Sequence, residues 1–125
     1  MIVHLDTSVL VTTLADPVNV RRLHTVAERG DRPAISSMVL FEWLRGPRLP
    51  AQLHVVDALF PEHSIVTFSP PAARVAAGIY AAVRRPRSRE ADIVIAACAI
   101  EHGAALWTLN PSDFEDIPGL TLYRA

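Results

Sequence analysis

The sequence predicts an α/β domain with a mainly parallel sheet and helices on both faces, and three observations carry that prediction. Four short apolar runs, at residues 2–5, 33–36, 64–68 and 105–109, read as buried strands. Segments of helical periodicity separate them, so strand and helix alternate along the chain. Of the 125 residues, 50% are apolar and 20% charged, the balance of one folded domain spanning residues 1–125.

The first run, 2–5, stops at Asp6-Thr7-Ser8, a strand leading into a polar turn or helix cap. Residues 8–14 then read as helical. Asp16-Pro17 predicts a break, and residues 18–29 place Val18, Leu23, Val26 and Ala27 at helical spacing before Gly30. The second strand, 33–36, follows at once. Residues 37–45 form a helix closed by Gly46-Pro47, and residues 51–60 form another ahead of the third strand, 64–68. Ser69-Pro70-Pro71 opens an alanine-rich helix to residue 83, its prolines in the first turn where a missing N–H does no harm. An arginine-rich loop, 84–87, precedes Ser88, the expected N-cap of a helix over 89–102 that Gly103 ends. The fourth strand is 105–109, and residues 121–123 add a fifth.

Composition narrows the chemistry. Twelve basic residues face thirteen acidic ones, a formal net charge of −1, and every basic residue is arginine. Without lysine, Schiff-base and P-loop chemistry are excluded, and a near-neutral total argues against a nonspecific nucleic-acid coat. The one cysteine, Cys98, lies in the apolar run 93–100, so no intrachain disulfide forms and a packed thiol in a reducing cytoplasm is expected. No basic stretch precedes an apolar one at the amino terminus, and no apolar run approaches the roughly 18 residues of a membrane span. Neither export nor membrane insertion is expected.

Four acids stand out against their surroundings. Asp6 directly follows the first strand, and ligands of open α/β sheets gather at the carboxyl ends of strands; alone, it reads equally as a helix cap. Glu42 interrupts the apolar segment Met38-Val39-Leu40-Phe41-Glu42-Trp43-Leu44, where an unpartnered carboxylate is costly to desolvate. A pair with Arg45 would satisfy it structurally. Asp92 opens the run Ile93-Val94-Ile95-Ala96-Ala97-Cys98-Ala99-Ile100 near a helix N-terminus, whose dipole alone favours negative charge. Glu90 reads as a solvated first-turn acid. Asp113, in Asn110-Pro111-Ser112-Asp113-Phe114, lies just past the fourth strand, where a turn role is open too. Helices that run back across a parallel sheet begin at the carboxyl edge of its strands, which puts Glu42 and Asp92 at the rim shared by Asp6 and Asp113.

Four carboxylates on one rim repel one another unless cations bind, and an all-oxygen set suits Mg²⁺ or Mn²⁺ rather than zinc. Elsewhere the chain holds nine acids against twelve arginines, a surface able to keep a polyanion over a metal-loaded site. A phosphodiester fits both halves of that description. Arg84, Arg85, Arg87 and Arg89, just upstream of Asp92, are candidate RNA contacts and equally a solvated loop. His4, His24, His54, His63 and His102 show no ligand spacing.

These residues resemble the PIN-domain superfamily, and within it the VapC-type toxins of type II toxin–antitoxin pairs. The resemblance spans the chain and rests on Val3-His4-Leu5-Asp6-Thr7-Ser8-Val9-Leu10, Glu42-Trp43-Leu44-Arg45-Gly46, Ala91-Asp92-Ile93-Val94-Ile95-Ala96-Ala97, Trp107-Thr108-Leu109-Asn110-Pro111-Ser112-Asp113-Phe114 and the closing Ile117-Pro118-Gly119-Leu120. It implies that Asp6, Glu42, Asp92 and Asp113 are the catalytic and metal-holding acids, supported by Ser8 and by Asn110, the asparagine preceding the fourth acid. Leu109 stands where the family often has arginine, beside Pro111's turn, a departure that bears on substrate contacts more than on metal binding.

The resemblance further implies a PIN domain with a sheet in the order 3-2-1-4-5, a homodimer, and a Mg²⁺-dependent endoribonuclease for which Mn²⁺ substitutes. Such an enzyme hydrolyses RNA to leave a 5′-phosphate and a 3′-hydroxyl, and a cognate antitoxin protein restrains it. The apolar density of residues 38–44 and 51–60 suggests part of a groove for an amphipathic antitoxin segment. Other aspartate-first sheet enzymes fit poorly. A haloacid-dehalogenase-like phosphatase needs a second Asp where Ser8 stands, that enzyme and a receiver domain both need a lysine, and no G-x-G-x-x-G turn is present. The remaining rival is a noncatalytic PIN-like module that binds RNA or protein, which divalent-metal affinity and cleavage would distinguish.

Overall fold

The computed structural model describes residues 1–15 and 17–124; the expected break falls on Asp16, outside the described residues. The chain enters the core at once through β1 (Ile2–Leu5), whose Val3, His4 and Leu5 are buried. This strand pairs in parallel on both sides. β2 (Arg32–Ala34) runs from Ile2↔Arg32 to His4↔Ala34, and β3 (Ala105–Trp107) from Val3↔Ala105 to Leu5↔Trp107, giving the order β2-β1-β3. Parallel neighbours require crossovers, and helices supply them, so a central strand is covered on both faces.

The five-stranded order 3-2-1-4-5 is not confirmed. Segment 64–68 begins inside a 3₁₀ turn, Glu62–Ser64, and meets the sheet through one parallel bridge, Ser36↔Val66; segment 121–123 makes one bridge, Leu106↔Leu122. Side-chain hydroxyls compete for the donors that a longer ladder needs. The Phe68 N–H goes to Ser37 Oγ at 3.1 Å, and the Asn110 N–H goes to Thr108 Oγ1 at 3.0 Å, turning the chain away after β3 rather than at residue 109. Strand two likewise ends at Ala34, short of 36.

The helices are α1 (Thr7–Ala15), α2 (Pro17–Glu28), α3 (Ser37–Arg45), α4 (Pro50–Leu59), α5 (Pro70–Ala82) and α6 (Glu90–Glu101). Serine caps start two of them: Ser36 Oγ accepts from the Val39 N–H at 3.3 Å and Ser69 Oγ from the Ala72 N–H at 3.2 Å. After α2 and α6 the chain turns at Gly30 (φ 83°) and Gly103 (φ 66°), left-handed positions that suit a residue without Cβ.

Ser88 is not the N-cap of α6. It lies in the 3₁₀ turn Pro86–Arg89 and its hydroxyl donates to the Arg85 carbonyl at 3.1 Å. Arg85 in the left-handed region (φ 51°) and Pro86 at the first turn position tighten the chain there, so α6 starts beyond Ser88, with Arg89 at its cap. The helix then buries Ile93, Ile95, Ala96, Ala97, Cys98 and Ala99, small side chains that let it pack closely on α5. Burial pushes the Cys98 thiol up to about 11, consistent with a packing role. No described helix is long and apolar enough to cross a membrane.

Candidate acidic site at the carboxyl edge of the sheet

Asp6 is the first residue beyond β1, and its N–H still bonds the Trp107 carbonyl at 2.9 Å, so the backbone is held in the sheet up to the carboxylate. Its carbonyl accepts from Val9 and Leu10 and starts α1, which is the cap reading in part. The carboxylate does something else. Oδ1 accepts from the Thr7 N–H at 2.9 Å, and Oδ2 accepts from both Ser8 Oγ and Thr108 Oγ1 at 2.8 Å. Three donors satisfy a carboxylate that is only 6% exposed. Ser8 also accepts the Leu109 N–H at 3.2 Å, tying the first turn of α1 to the exit of β3.

Glu42 reaches the same edge from α3. Thr7 Oγ1 donates to its Oε1 at 2.7 Å, while Arg45 meets Oε2 at 3.2 Å, so the ion pair that the sequence allows coexists with a contact to the residue beside Asp6. Arg45 is largely exposed, and such a pair contributes little to stability. Asp92 stands in the first turn of α6. Partial burial, then the negative charges of Asp6, Asp113 and Glu42, push its carboxyl up to about 6, with Arg89 opposing. Asp6, Asp113 and Glu42 therefore each lie within electrostatic reach of Asp92.

Asp113 ends the 3₁₀ turn Pro111–Asp113 and is exposed, while the adjoining Phe114 and Ile117 anchor the segment in the core. Asn110 supports this turn through its backbone: its carbonyl accepts the Asp113 N–H at 3.0 Å. Of the four arginines singled out by sequence, Arg84, Arg85 and Arg87 are exposed, whereas Arg89 is bound to Asp116 and to the Asp113 and Arg84 carbonyls. The hydrogen bonds to Asp116 raise the Arg89 pKa further. Glu90 is exposed, as expected.

Among the described residues, no group of three or more His, Cys, Asp or Glu side chains is arranged to hold a metal ion. The donor chemistry nevertheless fits a hard divalent cation. The site offers carboxylate oxygens, the Asp92 carboxyl stays raised despite Arg89, and of the adjacent cations Arg45 pairs with Glu42 while Arg89 is bound to Asp116. Mg²⁺ keeps several waters and needs few protein oxygens, so an open arrangement suits it.

Sequence reasoning missed Thr7, Thr108 and the fastening of Arg89. The signal for the first two was positional: each hydroxyl residue lies within two residues past a strand's carboxyl end, where Asp6 also lies. The histidines show no ligand spacing in sequence, yet His4 Nε2 and His102 Nδ1 are 2.8 Å apart, and burial followed by the His102 charge lowers His4 to about 4. That pair joins β1 to the residue after α6, at the opposite end of α6 from Asp92.

The PIN domain family model matches residues 3–120. Among solved structures, the chain is similar to VapBC2 from Rickettsia felis bound to a promoter DNA fragment, at 22% identity, 98% coverage of each chain and a TM-score of 0.76. It is similar to DNA-bound VapBC from Salmonella typhimurium at 23% identity, covering 98% of this chain and 97% of that one, with a TM-score of 0.77. A toxin–antitoxin complex from Klebsiella pneumoniae matches at 25% identity, covering 98% and 99%, with a TM-score of 0.67. No curated protein matches the chain. A matched span that takes in Asp6, Glu42, Asp92 and Asp113, on a parallel sheet that gathers them at its carboxyl edge, makes the conclusion plain: the chain belongs to the PIN domain family.

Proposed function

We propose that this chain is the toxin of a type II, VapC-type toxin–antitoxin pair, a Mg²⁺-dependent endoribonuclease, with Mn²⁺ as substitute, that acts in the cytoplasm. The observation that carries the reading is the gathering of Asp6, Glu42, Asp92 and Asp113, where partial burial, and then the charges of the other three acids, raise the Asp92 carboxyl. In this reading the four carboxylates hold the ion, which when bound supplies Lewis acidity and positive charge at the scissile phosphate. Ser8, Thr108 and the Thr7 N–H fix the Asp6 carboxylate, and the Thr7 hydroxyl orients Glu42. Water oxygen bonds to phosphorus as the P–O3′ bond breaks, leaving a 5′-phosphate on one fragment and a 3′-hydroxyl on the other. Arg84, Arg85 and Arg87 are exposed, which supports a role for them in holding RNA phosphates.

The partner in this reading is a cognate antitoxin, and the active form is a homodimer. An apolar cavity of about 320 Å³, lined in part by Leu14, Leu23, Ala27, Val55, Leu59 and Phe60, supports a seat for an amphipathic antitoxin segment between α1, α2 and α4. Buried Thr13, whose hydroxyl has no partner among the described residues, also lines it. The lining takes Val55 and Leu59 from α4 and nothing from residues 38–44, whose Phe41 and Leu44 are exposed apart from it.

A second reading, a noncatalytic RNA- or protein-binding module, is favoured by one observation: among the described residues, no three acids are arranged to hold a metal ion. Incubating purified chain with total cellular RNA in Mg²⁺ or Mn²⁺, beside EDTA and Asp6→Asn controls, separates the two. Discrete fragments absent from both controls support the nuclease; intact RNA with well-folded, antitoxin-free protein supports the module.

A further inference from the structure

Asp113 is the least supported of the four acids. Its carboxylate is exposed and receives no hydrogen bond among the described residues, on a turn of three residues. What fastens the turn is Arg89. Nη1 donates to the Arg84 carbonyl at 3.1 Å and to Asp116 Oδ2 at 2.8 Å, while Nη2 donates to the Asp113 carbonyl at 3.0 Å and to Asp116 Oδ1. The side chain is 18% exposed although it belongs to an arginine-rich surface loop. Both terminal nitrogens are thus committed within the fold, which sets Arg89 apart from its exposed neighbours as a phosphate contact.

We propose that Arg89, locked by Asp116, is a positioning residue that holds the Asp113 turn opposite Asp92 and thereby sets the affinity of the acidic site for a divalent cation. The proposal rests on reading the four acids as a metal site. Arg89 occupies the cap of α6, so one side chain links the helix that carries Asp92 to the turn that carries Asp113. The guanidinium fork matches a carboxylate with two parallel N–H bonds and still reaches two carbonyls; a lysine ammonium is a point charge that cannot span them.

Position and charge predict opposite signs, which makes the proposal testable. Removing a positive charge beside carboxylates should by itself tighten cation binding, whereas loosening Asp113 should weaken it. Calorimetric titration of Mn²⁺ into the purified, RNA-free chain reads this directly. Arg89→Gln, Arg89→Lys and Asp116→Asn each weaken Mn²⁺ binding about tenfold, the scale seen when partners that orient metal ligands are lost. Arg87→Gln, which removes a charge from the same loop and none of these bonds, does not weaken Mn²⁺ binding. In an Asp113→Asn background, Arg89→Gln adds nothing further.

In cleavage assays Arg89→Gln raises the half-saturating Mn²⁺ concentration without changing KM for RNA. Tighter or unchanged Mn²⁺ binding in Arg89→Gln, rescue by Arg89→Lys, or a raised KM alone would overturn the proposal. Asp116→Asn tests the same lock from its exposed partner if Arg89→Gln folds poorly. A wild-type chain that binds no Mn²⁺ would overturn the metal-site reading along with the proposal, whereas wild-type binding unaffected by Arg89→Gln would overturn the positioning role alone.

Discussion

The two ends of β1 treat charge in opposite ways. At the amino end, the carboxylate is matched by donors. The terminal ammonium meets Asp31 Oδ1 at 2.8 Å, and the Tyr123 hydroxyl donates to Asp31 Oδ2 at 2.8 Å. The ammonium and the Tyr123 hydroxyl draw the Asp31 pKa down. At the carboxyl end, carboxylates accumulate and Asp92 is driven up to about 6. Perturbed carboxyls of this kind mark candidate functional sites, and the contrast points to the carboxyl end of the strand.

The largest expected break in this contrast comes from removing a carboxylate of the acidic edge. Asp6→Asn or Asp92→Asn should lower single-turnover RNA cleavage at saturating Mn²⁺ by about a hundredfold or more, the scale on which lost charge stabilisation is felt. Asp31→Asn, at the other end, should leave cleavage unchanged.

Stability reverses that order. The Asp92 pKa is raised in the folded chain, so the folded state favours its protonated form, and ionising it brings a penalty. That penalty is absent below about pH 4, the ordinary carboxylate range, and grows as pH rises through about 6. Asp92→Asn should therefore be more stable than wild type at pH 8 in EDTA, by on the order of 1–2 kcal/mol, and no more stable at pH 4. Urea unfolding at the two pH values checks the sign.

Loss of the hydroxyls that orient the acids should have intermediate effects. Thr108→Val removes a donor to Asp6 and an acceptor for the Asn110 N–H, and Thr7→Val removes the donor to Glu42. Each should cost about 1 kcal/mol in denaturant unfolding, with Thr108→Val the larger, and should slow cleavage while leaving RNA affinity intact. The smallest effect belongs to Asp31→Asn. Because the folded chain lowers the Asp31 pKa, its stabilisation is present at neutral pH and fades as pH falls through the acid range, so unfolding midpoints of mutant and wild type should converge in acid.

Much of this architecture was legible because local chemistry and tertiary structure agree. Residues 37–45 emerge as α3 with the predicted bounds, since Ser36 caps the start and Gly46-Pro47 stops it. The placement of Glu42 and Asp92 near Asp6 followed from topology alone: parallel strands send their helices off from the same edge. The strand count was less legible, because the outer segments compete with side-chain hydroxyls and turns that apolar patterning does not register. Ser88 failed as a cap for a related reason, since an arginine in the left-handed region and a proline redirect the chain just ahead of it. Arg89 looked like its exposed neighbours because a one-dimensional reading sees a basic cluster, and only the return of the chain at Asp116, 27 positions later, separates it.

The central claim, that the unrelieved charge at the carboxyl edge is a divalent-cation site, is tested most directly by thermal unfolding at pH 8 across a Mg²⁺ titration, wild type beside Asp92→Asn. The account predicts that the wild-type midpoint starts lower and climbs by several degrees as Mg²⁺ saturates, while the variant starts higher and climbs little. A wild-type midpoint indifferent to Mg²⁺, or two curves rising in parallel, would contradict it.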